Sequence, residues 1–308
     1  MLIGQSPEII KAKRLVREVA KTEENALIVG EVGVGKKFVA HEIHRRSRQK
    51  NRPFVILNCT AVGDTITDAD IFGERIEGPK GIERKIGFLE QARRGILYLE
   101  NVDELKPEYQ QKFFNILKEK KFQKAGEDAF SEVDFRVIAA TTDENIAKKE
   151  TFRKDLLSLL NKFTIYMPPL RKRRQDIPYL FTHFLEMYCE EFGREVPPVP
   201  AELFESIIEY DWRGNVLELQ NSVRTIVMMS PEGELSLSYL PFEIKKHPFQ
   251  VLEDRELPDA IAEVEKYLIK KALRKFAGNQ TKAARALSIS EAALRYKMKK
   301  YGLSRKAF

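Results

Sequence analysis

A glycine-rich segment near the amino terminus constrains the fold of this chain more than any other feature. Residues 30–36 read GEVGVGK, follow a short apolar run at 26–29 and precede a helical pattern that opens at about Lys36. Glycine is needed where backbone N–H groups crowd around an anion, and the N-terminus of a helix adds a favourable dipole. A strand, a loop and a helix in this order predict a phosphate-binding loop, with a chance glycine-rich turn as the alternative.

This loop supplies the candidate residues for binding ATP or ADP. Lys36 is expected to reach the β- and γ-phosphates, while the backbone around it cradles them. The next residue, Lys37, stands where such loops usually place Ser or Thr to ligate Mg²⁺, so one contact to a Mg²⁺ cofactor is missing. The full set of candidate nucleotide-binding residues is Gly30, Glu31, Val32, Gly33, Val34, Gly35, Lys36 and Lys37.

Short apolar runs alternate with helical patterns in the first half of the chain. Each run has the length of a buried strand, and the spacing between runs accommodates crossover helices, as a parallel sheet requires. The runs are residues 26–29, 54–57, 96–99, 135–139 and 163–167. The predicted division is an α/β nucleotide-binding core at 1–168, an all-helical lid at 169–240, a polar linker at 241–258 and an all-α domain at 259–308.

The composition excludes a membrane protein. No apolar run approaches the roughly 18 residues of a membrane span, and the first residues lack the basic and apolar regions of a signal peptide. We therefore expect a cytoplasmic protein without membrane contacts. The two cysteines, Cys59 and Cys189, lie far apart without the spacing of metal ligands, so we expect buried thiols.

The carboxyl-terminal residues carry most of the positive charge. Residues 266–308 hold 13 Lys and Arg residues against the single acid Glu291, whereas the whole chain has a net charge of +7, so the rest is mildly acidic. A small basic end on an acidic body indicates nucleic acid as the partner of that end. A solvated basic helix is the alternative.

Residues 278–303 predict two helices joined by a tight turn, the arrangement of a helix-turn-helix. Ser290 can cap the second helix and Gly302 can end it. The second helix would enter the major groove of double-stranded DNA, where Glu291 could accept a hydrogen bond from cytosine. The candidate groove contacts are Ser290, Arg295 and Lys297, and the candidate phosphate contacts are Thr281, Lys282, Lys299 and Lys300.

Several segments match one known family at the same time. They are residues 30–40, 52–55 with 58–59, 71–73, 87–99, 136–141, 168–171 and 212–216. On these segments the chain resembles, essentially end to end, the AAA+ activators of bacterial RNA polymerase carrying sigma-54, and residues 278–303 resemble their Fis-type helix-turn-helix. The resemblance implies a P-loop ATPase core with a parallel sheet, a helical lid and a DNA-binding domain.

The resemblance also implies self-association. Domains of the Fis type act as dimers, and the family also forms higher ring oligomers. The predicted helix at 259–276 is the expected dimer surface, with one face formed by Ile261, Val264, Leu268 and Ala272.

The residues that carry the family's activity are where this chain departs from it. The strand at 95–101 would end in Asp-Glu in the family, the Asp binding Mg²⁺ and the Glu polarising the attacking water, whereas this chain has Glu100 and Asn101. Glu100 keeps a carboxylate and remains a weak Mg²⁺ ligand. Asn101 cannot take a proton, and losing a positioned base costs roughly 10² to 10⁴ in rate. Asn58 stands where the family keeps a polar residue that restrains the catalytic Glu.

The arginines that serve the phosphoryl group are also incomplete. Arg153 matches the first of two arginines that the family presents across the subunit boundary, but Leu159 stands at the second. Such a finger contributes about 10³ to 10⁵ in well-studied hydrolases. The lid arginine that senses the nucleotide is Leu217 here. Glu100, Asn101 and Arg153 are thus the candidate catalytic residues of a degenerate site, although each departure alone has an ordinary structural explanation.

The loop that touches the polymerase in the family differs as well. Family members carry GAFTGA after the Phe-Gly pair, whereas residues 72–83 here read FGERIEGPKGIE, with Pro79 and Lys80 in place of the apolar tip. We expect that the protein does not remodel sigma-54 polymerase in the usual way, which makes sigma-54 a doubtful partner. A rewired contact with the same target is the alternative.

Together these patterns favour a DNA-binding transcription regulator whose core binds ATP or ADP, hydrolyses it slowly or not at all, and uses nucleotide to set assembly state or DNA occupancy. An active ATPase that activates transcription, with Glu100 serving the metal and another group orienting water, is the second hypothesis. An oligomerisation platform that has lost nucleotide is the third. Because the sequence starts at the core, we expect control by a separate partner unless the sequence is a fragment.

Overall fold

The computed structural model of the chain contains two compact units, Met1–Leu240 and Pro241–Phe308. It describes residues 2–78, 81–124, 129–230, 234–240, 244, 256–276 and 278–303.

The first unit alternates strands and helices up to β9 and is helical after it. Its strands are β1 Ala26–Val29, β2 Phe54–Asn58, β3 Glu74–Gly78, β4 Gly81–Lys85, β5 Ile96–Glu100, β6 Lys121–Gln123, β7 Phe130–Glu132, β8 Arg136–Thr141 and β9 Phe163–Tyr166. Its helices are α1 Pro7–Ala20, α2 Lys36–Arg46, α3 Asp68–Phe72, α4 Phe88–Gln91, α5 Pro107–Glu119, α6 Lys154–Leu160, α7 Ile177–Glu191, α8 Ala201–Glu209 and α9 Asn215–Met229.

The five predicted apolar runs form one parallel sheet in the order β2-β5-β8-β1-β9. Alternate residues of each strand enter different cores: Leu27 and Val29 pack with α5 and α6, whereas Ala26 and Ile28 pack with α1 and α2. Burial on both faces explains why the runs are continuously apolar. The predicted α/β fold with a parallel sheet is confirmed, and so is the helical region after it.

Parallel pairing places the carboxyl ends of β2 and β5 side by side, with Asn58 opposite Glu100. The phosphate loop follows the carboxyl end of β1, at the same edge of the sheet. Open α/β sheets bind ligands at this edge.

The segment expected to be a polymerase-contacting loop is an antiparallel hairpin of β3 and β4. Pairing runs from Glu74 with Lys85 to Gly78 with Gly81. The sequence has no strong strand signal here, because the residues of both strands are mostly charged. The hairpin still forms, since its pairing hydrogen bonds join backbone groups and not side chains. The predicted tip residues, Pro79 and Lys80, lie outside the described residues.

The second unit contains α10 Leu257–Lys275, α11 Gln280–Ala286 and α12 Glu291–Lys300. Ala283, Ala284, Leu294 and Met298 form its core with residues of α10. Ser290 caps α12 by accepting a hydrogen bond from the N–H of Ala293, and Gly302 follows the helix with φ 64°.

The boundary between the predicted linker and the first helix of this unit needs correction. Pro258 was expected in the linker, but it lies in the first turn of α10, where proline is tolerated because it removes no intrahelical hydrogen bond. Most of the predicted linker at 241–258 lies outside the described residues.

Candidate nucleotide site and DNA-binding surface

The phosphate loop has the backbone that its glycines predict. Gly33 and Gly35 adopt φ values of 78° and 99°, in the left-handed region that favours glycine. Within the described part of the chain, no side chain caps the N-terminus of α2, which begins at Lys36. The first amides of a helix then remain available to an anion, so the loop and the start of α2 suit a phosphate.

Lys36 lies across the loop. Its Nζ donates hydrogen bonds to the carbonyl oxygens of Gly30 at 2.7 Å and Glu31 at 3.0 Å. Burial lowers the pKa of Lys36, and the negative charges of Asp103 and Glu100 oppose that shift. The ammonium therefore sits among phosphate-loop carbonyls and within the field of two carboxylates. Lys37, the second residue of α2, is exposed.

The helical lid hydrogen bonds directly to the phosphate loop through Asn215. Its Nδ2 donates to the carbonyl oxygen of Val32 at 2.9 Å and to Glu31 at 3.2 Å, while its Oδ1 accepts the N–H of Leu170 at 2.8 Å. Asn215 is fully buried at the start of α9. All three of these hydrogen bonds join segments that are distant in sequence, and the sequence analysis did not single out Asn215 as a site residue.

Two further contacts bring the lid close to the loop. The N–H of Leu217 donates to the carbonyl oxygen of Gly33 at 3.1 Å. A Cβ at Gly33 would lie 2.1 Å from the carbonyl oxygen of Gly214, so the approach of the lid also requires glycine there. The Leu217 side chain is 50% exposed. The position from which the family's arginine senses nucleotide therefore holds an apolar group beside the loop.

Arg171 anchors the lid to the acidic residue of the loop. Its guanidinium donates two hydrogen bonds to the Glu31 carboxylate, at 2.6 and 2.5 Å. Hydrogen bonding from Arg171 lowers the pKa of Glu31 to about 2, against the opposing effect of burial. Glu31 thus stays charged over the physiological range, and its side chain binds Arg171 and Asn215 of the lid.

At the end of β5 the second residue of the predicted catalytic pair, Asn101, is an amide and provides no base. Glu100 is half-buried, and Asn101 follows it in a left-handed conformation with φ 54° and ψ 53°. The Asn101 amide donates to the hydroxyl of Thr60 at 3.5 Å, and Asn58 accepts the N–H of Thr60 at 3.2 Å. Both asparagines therefore meet at Thr60, and their amides cannot remove a proton from water.

A further carboxylate, which no sequence motif marks, lies in the turn that follows Asn101. Asp103 is in the short 3₁₀ turn Val102–Glu104 and is only 7% exposed. Its Oδ1 has no hydrogen-bond partner among the described residues. An acidic residue three positions after Glu100 was the available signal, but nothing in the sequence indicated that it would be buried.

Arg153 and Leu159, the positions of the two family arginines, have ordinary structural roles within this chain. Arg153 pairs with Asp155, through distances of 3.0 and 2.6 Å, and its guanidinium lies 5.1 Å from the ring centre of Phe114. Leu159 packs against the core beneath α6. The role of Arg153 toward a neighbouring subunit stays a prediction.

In the second unit, some of the predicted DNA contacts are exposed side chains and others are hydrogen bonded within the unit. Lys282, Lys299 and Lys300 are exposed. Glu291 accepts a hydrogen bond from Thr281 at 3.1 Å and also binds Arg295. Both of these predicted DNA contacts are therefore hydrogen bonded to an acidic side chain. The Ser290 hydroxyl is engaged as the cap of α12.

Lys297 differs most from the expectation that it faces the groove. Its ammonium binds Glu265 of α10 at 2.6 Å, and the hydroxyl of Tyr301 donates to the same carboxylate oxygen at 2.6 Å. Lys297 therefore holds α12 against α10. Lys297 and Glu265 lie on different helices that pack together, which sequence spacing alone does not show.

The predicted dimer face is only partly exposed. Ile261 and Leu268 are exposed on α10, whereas Val264 is partly buried. Ala272 was expected on the same face but lies in the core against α11 and α12. The reason is that the helix-turn-helix packs against the carboxyl-terminal end of α10, where Ile269 and Leu273 are buried as well.

The described residues contain no cluster of three or more His, Cys, Asp or Glu side chains suited to a metal ion. Glu100 as a Mg²⁺ ligand stays a prediction. None of the helices that the structure describes is long and apolar enough to span a membrane.

Three family models match consecutive parts of the chain. The sigma-54 interaction domain matches residues 2–166, the AAA+ ATPase lid domain matches 171–256, and the bacterial regulatory protein, Fis family, matches 260–301.

Known proteins match over the same length. The transcriptional regulatory protein ZraR of Escherichia coli K12 is 33% identical over 96% of this chain and 68% of its own length. The nitrogen fixation protein VnfA of Azotobacter vinelandii is 33% identical over 100% of this chain and 60% of its own length. The chain thus spans about two thirds or less of these relatives.

Solved structures of NtrX from Brucella abortus share the fold. The complex with ADP superposes with a TM-score of 0.71 at 29% identity, and the complex with ATP with 0.70 at 29% identity. Both comparisons cover 98% of this chain and 69% of the NtrX chain.

Proposed function

Since the chain belongs to the family of bacterial transcription regulators with a sigma-54 interaction domain, an AAA+ lid and a Fis-type helix-turn-helix, we propose that it is a nucleotide-gated member. In this proposal its core binds ATP or ADP and hydrolyses ATP slowly or not at all. Nucleotide then sets the assembly state or the occupancy of DNA. Such a regulator acts on DNA in the cytoplasm.

The observation that carries this proposal is the contrast between the loop and the end of β5. Gly33, Gly35 and Lys36 keep the features that bind phosphates. Asn101 stands in the place of the water-polarising carboxylate, with its amide turned to Thr60. Binding needs the first set of groups, whereas hydrolysis also needs a positioned base.

Nucleotide binding is supported by the relatives as well as by the loop. The structures of NtrX include complexes with ADP and with ATP. In this chain, phosphates on the loop would lie beside the lid contacts of Asn215 and Leu217. A ligand that changes those contacts shifts the position of the lid, and through the lid nucleotide would set the assembly state.

DNA binding is assigned to the second unit. Its helix-turn-helix exposes Lys282, Lys299 and Lys300, which suit contacts to phosphates of double-stranded DNA. Phosphate contacts position a protein on DNA without reading its sequence, so base recognition falls to the start of α12.

Sigma-54 polymerase is the transcription machinery that we assign to this regulator. The different sequence at 72–83 led to the expectation that sigma-54 is a doubtful partner. The match of residues 2–166 to the sigma-54 interaction domain argues against that expectation, because the similarity covers the segment that carries the altered loop.

A second candidate is an active ATPase that remodels sigma-54 RNA polymerase to activate transcription. The buried Asp103 carboxylate favours it, because an unpartnered acid near Lys36 could replace part of the missing machinery. In that case Glu100 would serve the metal, and another group would orient water.

One assay separates the two candidates and tests nucleotide binding. Purified protein is titrated with ATP and ADP, and phosphate release is followed with and without operator-length DNA. The proposal expects binding that Lys36→Ala removes and Lys37→Ala retains, with turnover at least about 10²-fold below that of an active relative. Turnover at the ordinary rate, abolished by Lys36→Ala, would establish the second candidate. Absence of any nucleotide-dependent rise in thermal stability would reject both.

A further inference from the structure

The carboxylates of Glu100 and Asp103 act on the same ammonium group. Glu100 ends β5, and the left-handed Asn101 bends the chain so that the turn Val102–Glu104 starts at once. Both carboxylates oppose the lowering of the Lys36 pKa that burial causes. Together with burial, both also raise the pKa of the Cys59 thiol. The turn that carries Asp103 follows the carboxyl end of β5, at the edge of the sheet where the phosphate loop also follows β1, so both acids lie at the loop edge of the sheet.

Asp103 is a buried acid whose carboxylate is not fully hydrogen bonded by the protein. It is 7% exposed, and its Oδ1 lacks a hydrogen-bond partner among the residues described. The Lys36 ammonium already binds the carbonyls of Gly30 and Glu31, and Lys149 binds the backbone carbonyl of Asp103 at 3.0 Å. A buried carboxylate oxygen without a partner is costly, and such a group often marks the place of an ion.

The donor set suits a hard divalent cation. Mg²⁺ takes oxygen ligands, keeps several waters, and is usually held by one or two carboxylates together with substrate phosphates. Lys37 removes the hydroxyl that a phosphate loop normally offers to this ion. The second carboxylate, Asp103, offers the ion another oxygen ligand in its place.

We propose that Asp103, together with Glu100, holds a divalent cation against the phosphates of a nucleotide on the loop. This role rests on the nucleotide binding proposed above. When bound, the cation supplies positive charge between the carboxylates and the phosphates. Two carboxylates alone are too few for tight binding, so the cation and the nucleotide bind together.

The test measures ADP affinity by calorimetry on the full chain, once with EDTA and once with Mn²⁺ as the probe ion. Free Mn²⁺ is followed in parallel by its electron paramagnetic resonance signal. The variants are Asp103→Asn, which keeps the size of the side chain without its charge, and Glu104→Gln, a matched change at an exposed acid in the same turn.

We expect Mn²⁺ to tighten ADP binding to the wild type and to Glu104→Gln. Asp103→Asn should lose about 10- to 100-fold of that gain. In EDTA the same variant should bind ADP as tightly as the wild type or more tightly, because a negative charge near the phosphates has been removed. Its unfolding temperature without nucleotide should be unchanged or higher, because the buried Oδ1 had no hydrogen-bond partner to lose.

Three results would overturn the role of Asp103. One is that Mn²⁺ tightens ADP binding to Asp103→Asn as much as it does to the wild type. Another is that this variant loses ADP affinity equally in EDTA and in Mn²⁺. The third is a lower unfolding temperature for this variant, which would make Asp103 a structural partner of Lys36. A wild type that binds no ADP under either condition would instead reject the proposed function itself.

Discussion

The amide nitrogen of Asn215 lies 2.9 Å from the carbonyl oxygen of Val32, so the first residue of α9 is hydrogen bonded to the middle of the phosphate loop. Asn215 also adopts φ 57°, a left-handed conformation that Asn tolerates better than most residues. The first residue of α9 therefore also ties the lid to the phosphate loop through its side chain.

Replacing Asn215 with Ala should destabilise the first unit by about 2 to 3 kcal/mol, because it leaves buried polar groups of the loop and of Leu170 unpaired. The measurement is the free energy of unfolding in denaturant. Asn221→Ala, at an exposed position of the same helix, is the control and should change stability by less than about 0.5 kcal/mol. Equal effects of the two variants would mean that the lid contact contributes nothing.

The ion pair of Glu31 and Arg171 should make the free energy of unfolding depend on pH in the acid range. Arg171 lowers the pKa of Glu31 from 4.5 to about 2, so the carboxylate stays charged in the folded protein after it has protonated in the unfolded chain. Its contribution is present above pH 4.5 and is lost as pH falls through about 2. Because both side chains are about one third exposed, we expect less than about 1 kcal/mol.

Glu31→Gln isolates this effect from the titration of other carboxylates. The wild type should be more stable than this variant at neutral pH, and the difference in unfolding free energy should shrink toward pH 2. A difference that stays constant down to that pH would show that the charge of Glu31 is not what Arg171 stabilises.

Asn101→Glu should raise the rate of ATP hydrolysis. It puts a carboxylate where the amide of Asn101 now faces Thr60, and a positioned base is worth roughly 10² to 10⁴ in rate. The family arginine is still absent at Leu159, so we expect the lower part of that range. Phosphate release under single-turnover conditions is the readout, and Asn101→Gln supplies a side chain of the same length without the charge. Equal rates for the two variants would locate the defect elsewhere.

Lys297 and Lys299 should behave differently although they are two residues apart on α12. Lys297→Ala removes the ion pair with Glu265 and should lower the stability of the second unit. Lys299→Ala, at an exposed position, should weaken DNA binding and reduce the salt slope of the binding constant by about 1. Fluorescence anisotropy over a salt series and thermal unfolding measure the two effects. The assignment fails if Lys297→Ala changes the salt slope as much as Lys299→Ala.

The strands of the sheet were predictable because their signals are local. Buried parallel strands are apolar throughout, and the turns between them carry Gly and Pro. Residues 26–29 and 96–99 can therefore be recognised as strands without knowing which strands they pair with. The same holds for the loop before Lys36 and for Ser290 and Gly302 at the two ends of α12. The hairpin of β3 and β4 was missed because its alternation is weak and its residues are mostly charged.

By itself, the sequence determined which groups this protein has for its ligands: glycines and Lys36 for phosphate, Asn101 instead of a base, and a basic helix-turn-helix for DNA. Only the tertiary structure decided how those groups are engaged. It joined Asn215 to Val32, buried Asp103 near Lys36, and turned Lys297 toward Glu265. Backbone propensity depends on near neighbours in the chain, whereas burial and pairing depend on residues that packing brings together from distant parts of the chain.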